Sequence, residues 1–173
     1  NNGFVYNYVS EQDLARFHEA SEGKTLVDSI LHHHAYKVTF LGASPNVRYQ
    51  ALDKSSVYNN YFMDKDPAKW AGHVGRDGKV MQQGIYPGID VAVYSNAPQH
   101  LKYEFIVAPG SNPNAIQLAF EGVTPELTKE GNLRVRTSVN EVIEKAPYCY
   151  QEINGKQVVV NSRFQLQGQQ LSF

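Results

Sequence analysis

His32-His33-His34 is the stretch of this chain whose residue type and spacing come closest to a metal site. In a strand that begins near Leu31, His32 and His34 share a face, and two imidazoles two residues apart can ligate one metal ion. A third ligand would have to come from His18, His73, His100 or a carboxylate elsewhere. A closed metal site needs its full ligand set. The triplet therefore reads first as a polar cluster at a loop-to-strand junction, with His32 and His34 as the metal-ligand candidates. Carboxylate pairs come next: Asp64 with Asp66, Asp90 with Glu104, and Glu141 with Glu144. Two carboxylates held roughly 5–10 Å apart can hydrolyse a glycoside, but a chain with 17 acidic residues supplies such spacings by chance. Asp64-Lys65-Asp66-Pro67 lacks the oxygens, the glycine and the terminal Glu of an EF-hand loop. The chain contains no G-x-S-x-G, Walker loop, Rossmann glycine triad or H-E-x-x-H. Cys149, the one cysteine, has no neighbouring histidine in sequence to activate it and reads as a buried small hydrophobe. No catalytic constellation emerges, no cofactor is expected, and the expectation is a protein that is not an enzyme.

Aromatic residues are the stronger signal. They make up 12% of the chain. Rings such as Tyr6, Tyr8, Tyr86, Tyr94, Tyr103, Tyr148 and Tyr150 suit half-buried strands, where the ring packs and the hydroxyl reaches water. The ligand-binding candidates among them are Tyr58, Tyr61 and Trp70, as exposed rings on which a sugar could stack. A formal net charge of -1 argues against a general nucleic-acid binder, which needs a basic face to neutralise phosphates. No apolar run approaches the ~18 residues of a membrane span, so no membrane insertion by this chain is expected. The chain opens on Asn1-Asn2-Gly3-Phe4, without Met or signal peptide, which reads as a processed or trimmed product and leaves the compartment open.

The elements that must position these residues are mostly strands. Phe4 to Val9 reads as a strand, and Ser10 starts a helix running to about Ala20, with Asp13 completing a capping-box-like pattern. Leu14, Phe17 and His18 form a one-sided stripe on that helix, expected to pack on something larger. Thr25 to Leu31 is a helical turn or an irregular connection, and His34 to Leu41 is a strand. Tyr58 to Phe62 is extended. Asp66-Pro67 starts one short turn ending at Trp70, and Arg76-Asp77-Gly78-Lys79 reads as a turn. Ile89, Val91 and Val93 then alternate with polar or small residues, and Leu101, Tyr103, Phe105 and Val107 return. Tyr86-Pro87-Gly88 joins this pair to the strand before it. The last third is a series of hairpins. Val139-Asn140-Glu141 turns with Asn140 able to adopt a left-handed backbone, and Asn154-Gly155 is the strongest hairpin signal. Strands at such spacing make the fold class mainly β: an antiparallel β-sandwich-like domain with one short N-terminal α-helix. The expected organisation is a single all-β domain over 1–173, a length that fits one domain and buries a sizeable core without staples.

Several blocks then carry a family resemblance: His34-Ala35-Tyr36-Lys37-Val38-Thr39-Phe40-Leu41-Gly42-Ala43, Tyr58-Asn59-Asn60-Tyr61-Phe62, Asp66-Pro67-Ala68-Lys69-Trp70, Tyr86-Pro87-Gly88-Ile89-Asp90, Leu101 to Gly110, Thr137-Ser138-Val139-Asn140-Glu141-Val142, and Pro147-Tyr148-Cys149-Tyr150-Gln151. In this order they resemble an uncharacterised domain near the N-terminus of large secreted or surface proteins of Bacteroidetes-type bacteria. Those proteins carry β-propeller-type (SBBP) repeats, PKD-like or immunoglobulin-like modules and gliding-motility-type C-terminal sorting domains. Asn140 stands where that family usually has Gly, and Cys149 where it usually has Ala. The resemblance implies a secreted or cell-surface location and a chain that is a fragment lacking flanking strands at both ends. It also implies an adhesion-type role, with surface polysaccharide or other surface proteins as partners. It supplies no catalytic residues. The functional expectation is therefore a structural or interaction module of an exported surface protein. A carbohydrate-binding module using exposed aromatics is the alternative, and a metal-dependent enzyme the second alternative.

Overall fold

The structure, a computed structural model, describes residues 2–21, 30–97 and 100–173. Most of the Thr25–Leu31 connection lies outside the described residues. In chain order the elements are β1 (Gly3–Val9), α1 (Glu11–Ser21), β2 (His33–Phe40), β3 (Arg48–Tyr61), β4 (Ala71–Tyr86), β5 (Ile89–Ala97), β6 (His100–Val107), β7 (Leu118–Glu121), β8 (Pro125–Leu127), β9 (Leu133–Arg136), β10 (Glu141–Glu144), β11 (Cys149–Ile153), β12 (Lys156–Val160), β13 (Gln165–Gln167) and β14 (Gln170–Ser172). The protein is mainly β, antiparallel and sandwich-like, with one short N-terminal helix, as its alternating patterns require. The chain divides into two compact units, Asn1–Gly42 with Asn114–Phe173, and Ala43–Pro113.

The first unit holds a five-stranded sheet in the order β1-β2-β7-β14-β13 and a three-stranded sheet in the order β10-β9-β8. Register sets one face of the larger sheet: Phe4 pairs with Val38, Tyr6 with Tyr36, Val38 with Phe120 and Phe40 with Leu118. Tyr36, Val38, Phe40, Leu118, Phe120 and Leu171 are buried there, and Leu133 and Val135 of β9 are buried on the smaller sheet. At α1, Ser10 Oγ accepts the Asp13 N–H at 3.3 Å, the first half of the capping box. The return half is not made. Ser10 N–H instead donates to the His32 carbonyl at 3.0 Å, and Asp13 turns to His32 and Arg16. The apolar stripe does not behave as expected either. Leu14 and Phe17 stay exposed and Asp13 is the buried side chain, because its hydrogen-bond partners lie on the inner side of the helix.

The second unit is a four-stranded meander, β3-β4-β5-β6. Ile85, Tyr86, Ile89, Val91 and Ala92 form its core around the Pro87-Gly88 turn. Gly88 has φ 68°, and a Cβ there would lie 2.0 Å from Ser111 Oγ, so both backbone angle and close approach demand glycine. Arg76-Asp77-Gly78-Lys79 is not a turn. It lies inside the 16-residue β4, where its turn-forming residues meet an irregularity of the ladder. Register shifts between Lys54 and Tyr58, and Asp53 opposite has φ 56°. Turn chemistry is spent here on a bulge rather than on a reversal. The distal parts of β3 and β4 then run on as a two-stranded arm, because β5 pairs with β4 only from Lys79 to Tyr86.

The final hairpin signal is met. Asn154 and Gly155 have φ 51° and 73°, the type I′ turn that matches strand twist, and β11 and β12 pair from Cys149–Val160 to Ile153–Lys156. These two strands form a sheet of their own. Among the described residues no helix is long and apolar enough to cross a membrane, which leaves membrane β-barrels untouched as a question.

Candidate functional site: a histidine latch and an aromatic arm

The histidine triplet is divided among different partners. β2 begins at His33, so His32 precedes the strand. Its Nδ1 lies 2.8 Å from Asp13 Oδ2 and its backbone N–H donates to the same oxygen at 2.8 Å. Asp13 also takes a bond from Arg16. These donors, the His32 backbone N–H first and its ring next, hold the Asp13 carboxyl well below the usual carboxylate range. They tie the segment before β2 to the start of α1.

His34 works elsewhere. Its Nε2–H faces the Gly122 carbonyl at 3.2 Å, which leaves Nδ1 as the acceptor of the Ser138 backbone N–H at 3.0 Å. Ser138 Oγ also lies 3.0 Å from Nδ1. A serine beside an imidazole whose other nitrogen is held by a carbonyl resembles a nucleophile–base pair. Here, however, the Nδ1 lone pair is committed to a backbone donor. The neighbouring N–H groups of Val139 and Asn140 are also engaged, both by Thr137 Oγ1. No free backbone donor in this turn is left to stabilise an oxyanion. His34 is a latch that joins β2 to the turn between β9 and β10. Asn140 lacks the left-handed backbone expected of it, since Thr137 closes that turn with its hydroxyl. Among the described residues no three His, Cys, Asp or Glu side chains come together as metal ligands.

Beside the latch stands a tyrosine ladder. Tyr6 and Tyr36 stack at 4.9 Å between centroids, and Tyr8 lies nearly parallel to both. Burial pushes the Tyr6 hydroxyl above its ordinary value, with the Glu144 charge and Tyr8 adding to it. Tyr36 is raised too, by burial and then by Tyr8 and Tyr6. The hydroxyls are thus held neutral. The carboxylate pairs resolve into separate contacts. Asp64 pairs with Lys69 at 2.6 Å, and Asp66 Oδ1 caps the short turn by accepting the Ala68 N–H at 3.0 Å. Asp90 accepts the Gly84 N–H, Glu104 accepts the Tyr94 hydroxyl, and Glu141 pairs with Arg136 at 3.2 Å. Cys149 is half-buried rather than buried, and its sulfur accepts the Ser162 hydroxyl at 2.9 Å.

Tyr58 and Tyr61 fall on the arm formed by the distal parts of β3 and β4, and Trp70 on the connection between these two strands. The turn at its tip, Pro67–Lys69, carries Asp66 as its cap. Trp70 Nε1–H donates to the Asp64 carbonyl at 3.0 Å, and its ring meets Phe62 edge-on at 5.4 Å and 74°. Tyr58 stacks on His73 at 4.4 Å, and Asn60 Oδ1 accepts the His73 N–H at 2.8 Å. The Tyr61 hydroxyl accepts from Asn59. The tip is therefore internally braced and still open: Phe62 is 65% exposed, Met63 70% and Trp70 46%. Sequence reasoning picked out Tyr58, Tyr61 and Trp70 but missed Phe62, Met63 and His73 as part of the same surface. The run Tyr61-Phe62-Met63 before an Asp-Pro turn start was the available signal, because apolar residues beside a tight turn have little chain nearby to cover them.

A mainly β module, with an ordered polar latch in one unit and an exposed aromatic arm in the other, is the class that fold and geometry define. The family model described as a domain of unknown function, DUF7948, matches residues 1–173, so this chain belongs to that family. No curated protein and no solved structure matches it.

Proposed function

We propose that this chain is a non-enzymatic, adhesion-type interaction module of an exported cell-surface protein, and that the β3–β4 arm is its contact surface, taking a protein partner. The observation that carries the reading is the braced, exposed cluster of Tyr61, Phe62, Met63 and Trp70 at the tip. Aromatic and Met side chains are enriched where proteins meet, and hot spots centre on Trp and Tyr. Bracing matters as much as exposure. Rings already held by the Asp64 carbonyl and by His73 lose little freedom on binding, so less of the contact energy is cancelled by ordering. The same surface supports a carbohydrate-binding module less well, since stacking on a sugar favours rings that share a plane, and Phe62 and Trp70 cross at 74°.

Binding of the fluorescently labelled chain to the outer surface of the cells that make it tests the reading. Phe62→Ala with Trp70→Ala should weaken binding at least tenfold, about 1.4 kcal/mol or more, as expected of hot-spot removal. Protease treatment of the cells should remove the binding sites, and periodate should spare them. Equal binding by the double variant would sink the arm as contact surface. Periodate sensitivity would transfer the reading to surface polysaccharide.

A further inference from the structure

The chain holds two methionines, and the fold leaves them in opposite surroundings. Met81 sits inside β4 with β3 and β5 on either side, paired with Gln50 and Ala92, and it is half-buried. Met63 lies between the end of β3 and the Pro67–Lys69 turn and is 70% exposed. It follows Phe62, whose ring Trp70 meets edge-on. A thioether is soft and polarizable, and a methionine open to water offers that sulfur to an oxidant in solution. Oxidation replaces a flexible apolar side chain by a polar, chiral one that accepts hydrogen bonds.

The tip is built so that this change alters its surface and not its fold. Trp70 is held by the Asp64 carbonyl, Lys69 by the Asp64 carboxylate, and the Pro67–Lys69 turn by Asp66. The His73 N–H is held by Asn60 Oδ1. None of these bonds uses Met63, so an oxygen added to its sulfur breaks none of them. That oxygen does place a hydrogen-bond acceptor among the exposed side chains of Tyr61, Phe62 and Trp70. A partner that buries it must supply a donor or leave it unpaired, at a cost to binding.

We propose that Met63 is a reversible oxidation site whose modification lowers the affinity of the arm for its protein partner, a regulation that rests on the arm being the contact surface. The oxidant is hydrogen peroxide. The Met63 sulfur attacks one peroxide oxygen, the O–O bond breaks and a sulfur–oxygen bond forms. Sulfur gives up two electrons and the peroxide is reduced. The hydroxide released takes the proton from the transferred hydroxyl and leaves as water, and the side chain remains as the sulfoxide. Methionine sulfoxide reductases reverse the step, one enzyme for each sulfoxide epimer, with electrons from a thiol.

Mild hydrogen peroxide treatment of the whole chain, followed by peptide mass spectrometry, should add oxygen at Met63 at least about tenfold faster than at Met81. Once the peroxide is removed, the labelled chain should bind cells at least about fivefold more weakly than the untreated chain, with its Tm unchanged. Both reductases with dithiothreitol should restore that binding. Met63→Leu, compared with itself before and after peroxide, should lose no binding, whereas Met81→Leu should lose as much as the unaltered chain. Equal oxidation of the two methionines overturns the proposal, and so does full binding by a chain oxidised at Met63. A loss that Met63→Leu does not prevent also overturns it, since the damage then lies at another residue. The arm reading fails by a different readout, without peroxide: equal binding by the Phe62→Ala, Trp70→Ala double variant, which would overturn the effect on affinity as well.

Discussion

β5 and β12 both leave a glycine-containing turn as short valine-bearing strands, and they meet opposite fates. Ile89-Asp90-Val91-Ala92-Val93 follows the Pro87-Gly88 turn, and Lys156-Gln157-Val158-Val159-Val160 follows the Asn154-Gly155 turn. Both turns place glycine at positive φ, and both strands are valine-rich. Ile89 and Val91 nevertheless have no exposed surface, whereas every valine of β12 is at least two-fifths exposed. The difference lies in neighbours. Among the described residues β5 is flanked by β4 and β6, and β12 has β11 alone. Strand propensity and turn type are local properties of a few residues, while burial depends on what a distant part of the chain, or another chain, lays beside them.

That contrast is most severely tested in the core. Ile89→Ala removes three carbons from a fully buried site and should cost about 2–4 kcal/mol, read as a lower urea midpoint at unchanged slope. A cost below about 1 kcal/mol would mean that the Ala43–Pro113 unit tolerates loose packing and that β5 is no better covered than β12.

A smaller effect is expected at the latch. His34→Ala removes the acceptor of the Ser138 N–H and the donor to the Gly122 carbonyl. The turn is open to water, which can replace both partners, so the expected loss is about 1 kcal/mol, with faster hydrogen exchange at the Ser138 amide. An unchanged Ser138 amide would show that Thr137 alone holds the turn.

How much of this was legible in the sequence follows the same division. The helix at Glu11–Ser21, the Asp66 cap, the Tyr86-Pro87-Gly88 reversal and the Asn154-Gly155 hairpin are all set by residues within a few positions of one another, and all were readable. Arg76-Asp77-Gly78-Lys79 was misread because its local preference for a turn was overridden by pairing with Leu52 and Lys54, more than twenty residues away. His34 with Ser138 was invisible for the same reason at larger separation: nothing near either residue names the other. Leu14 and Phe17 were assigned inward on spacing alone, but hydrogen bonds from His32 decide which side of α1 faces in, and they select Asp13.

Asp13 extends the comparison to acid. Its folded carboxyl ionises more readily than the unfolded one, whose value is near 3.8, because the His32 N–H groups and Arg16 favour the charged form. The native state therefore gains stability that is complete above about pH 4 and lost as pH falls below it. A plot of Tm against pH should drop below pH 4, and Asp13→Asn should flatten part of that drop while lowering Tm at neutral pH. Parallel curves for the two proteins would show that the Asp13 contacts contribute nothing measurable.

The smallest expected effect sharpens the comparison most. Val159→Ala removes two methyl groups from a side chain that is 60% exposed, on a strand covered on neither face. At low protein concentration it should change unfolding free energy by no more than about 0.5 kcal/mol, against several times that for Ile89→Ala. A loss close to that of Ile89→Ala would mean that Val159 is covered in the folded chain after all, and the contrast between a strand flanked on both edges and one paired on a single edge would fail.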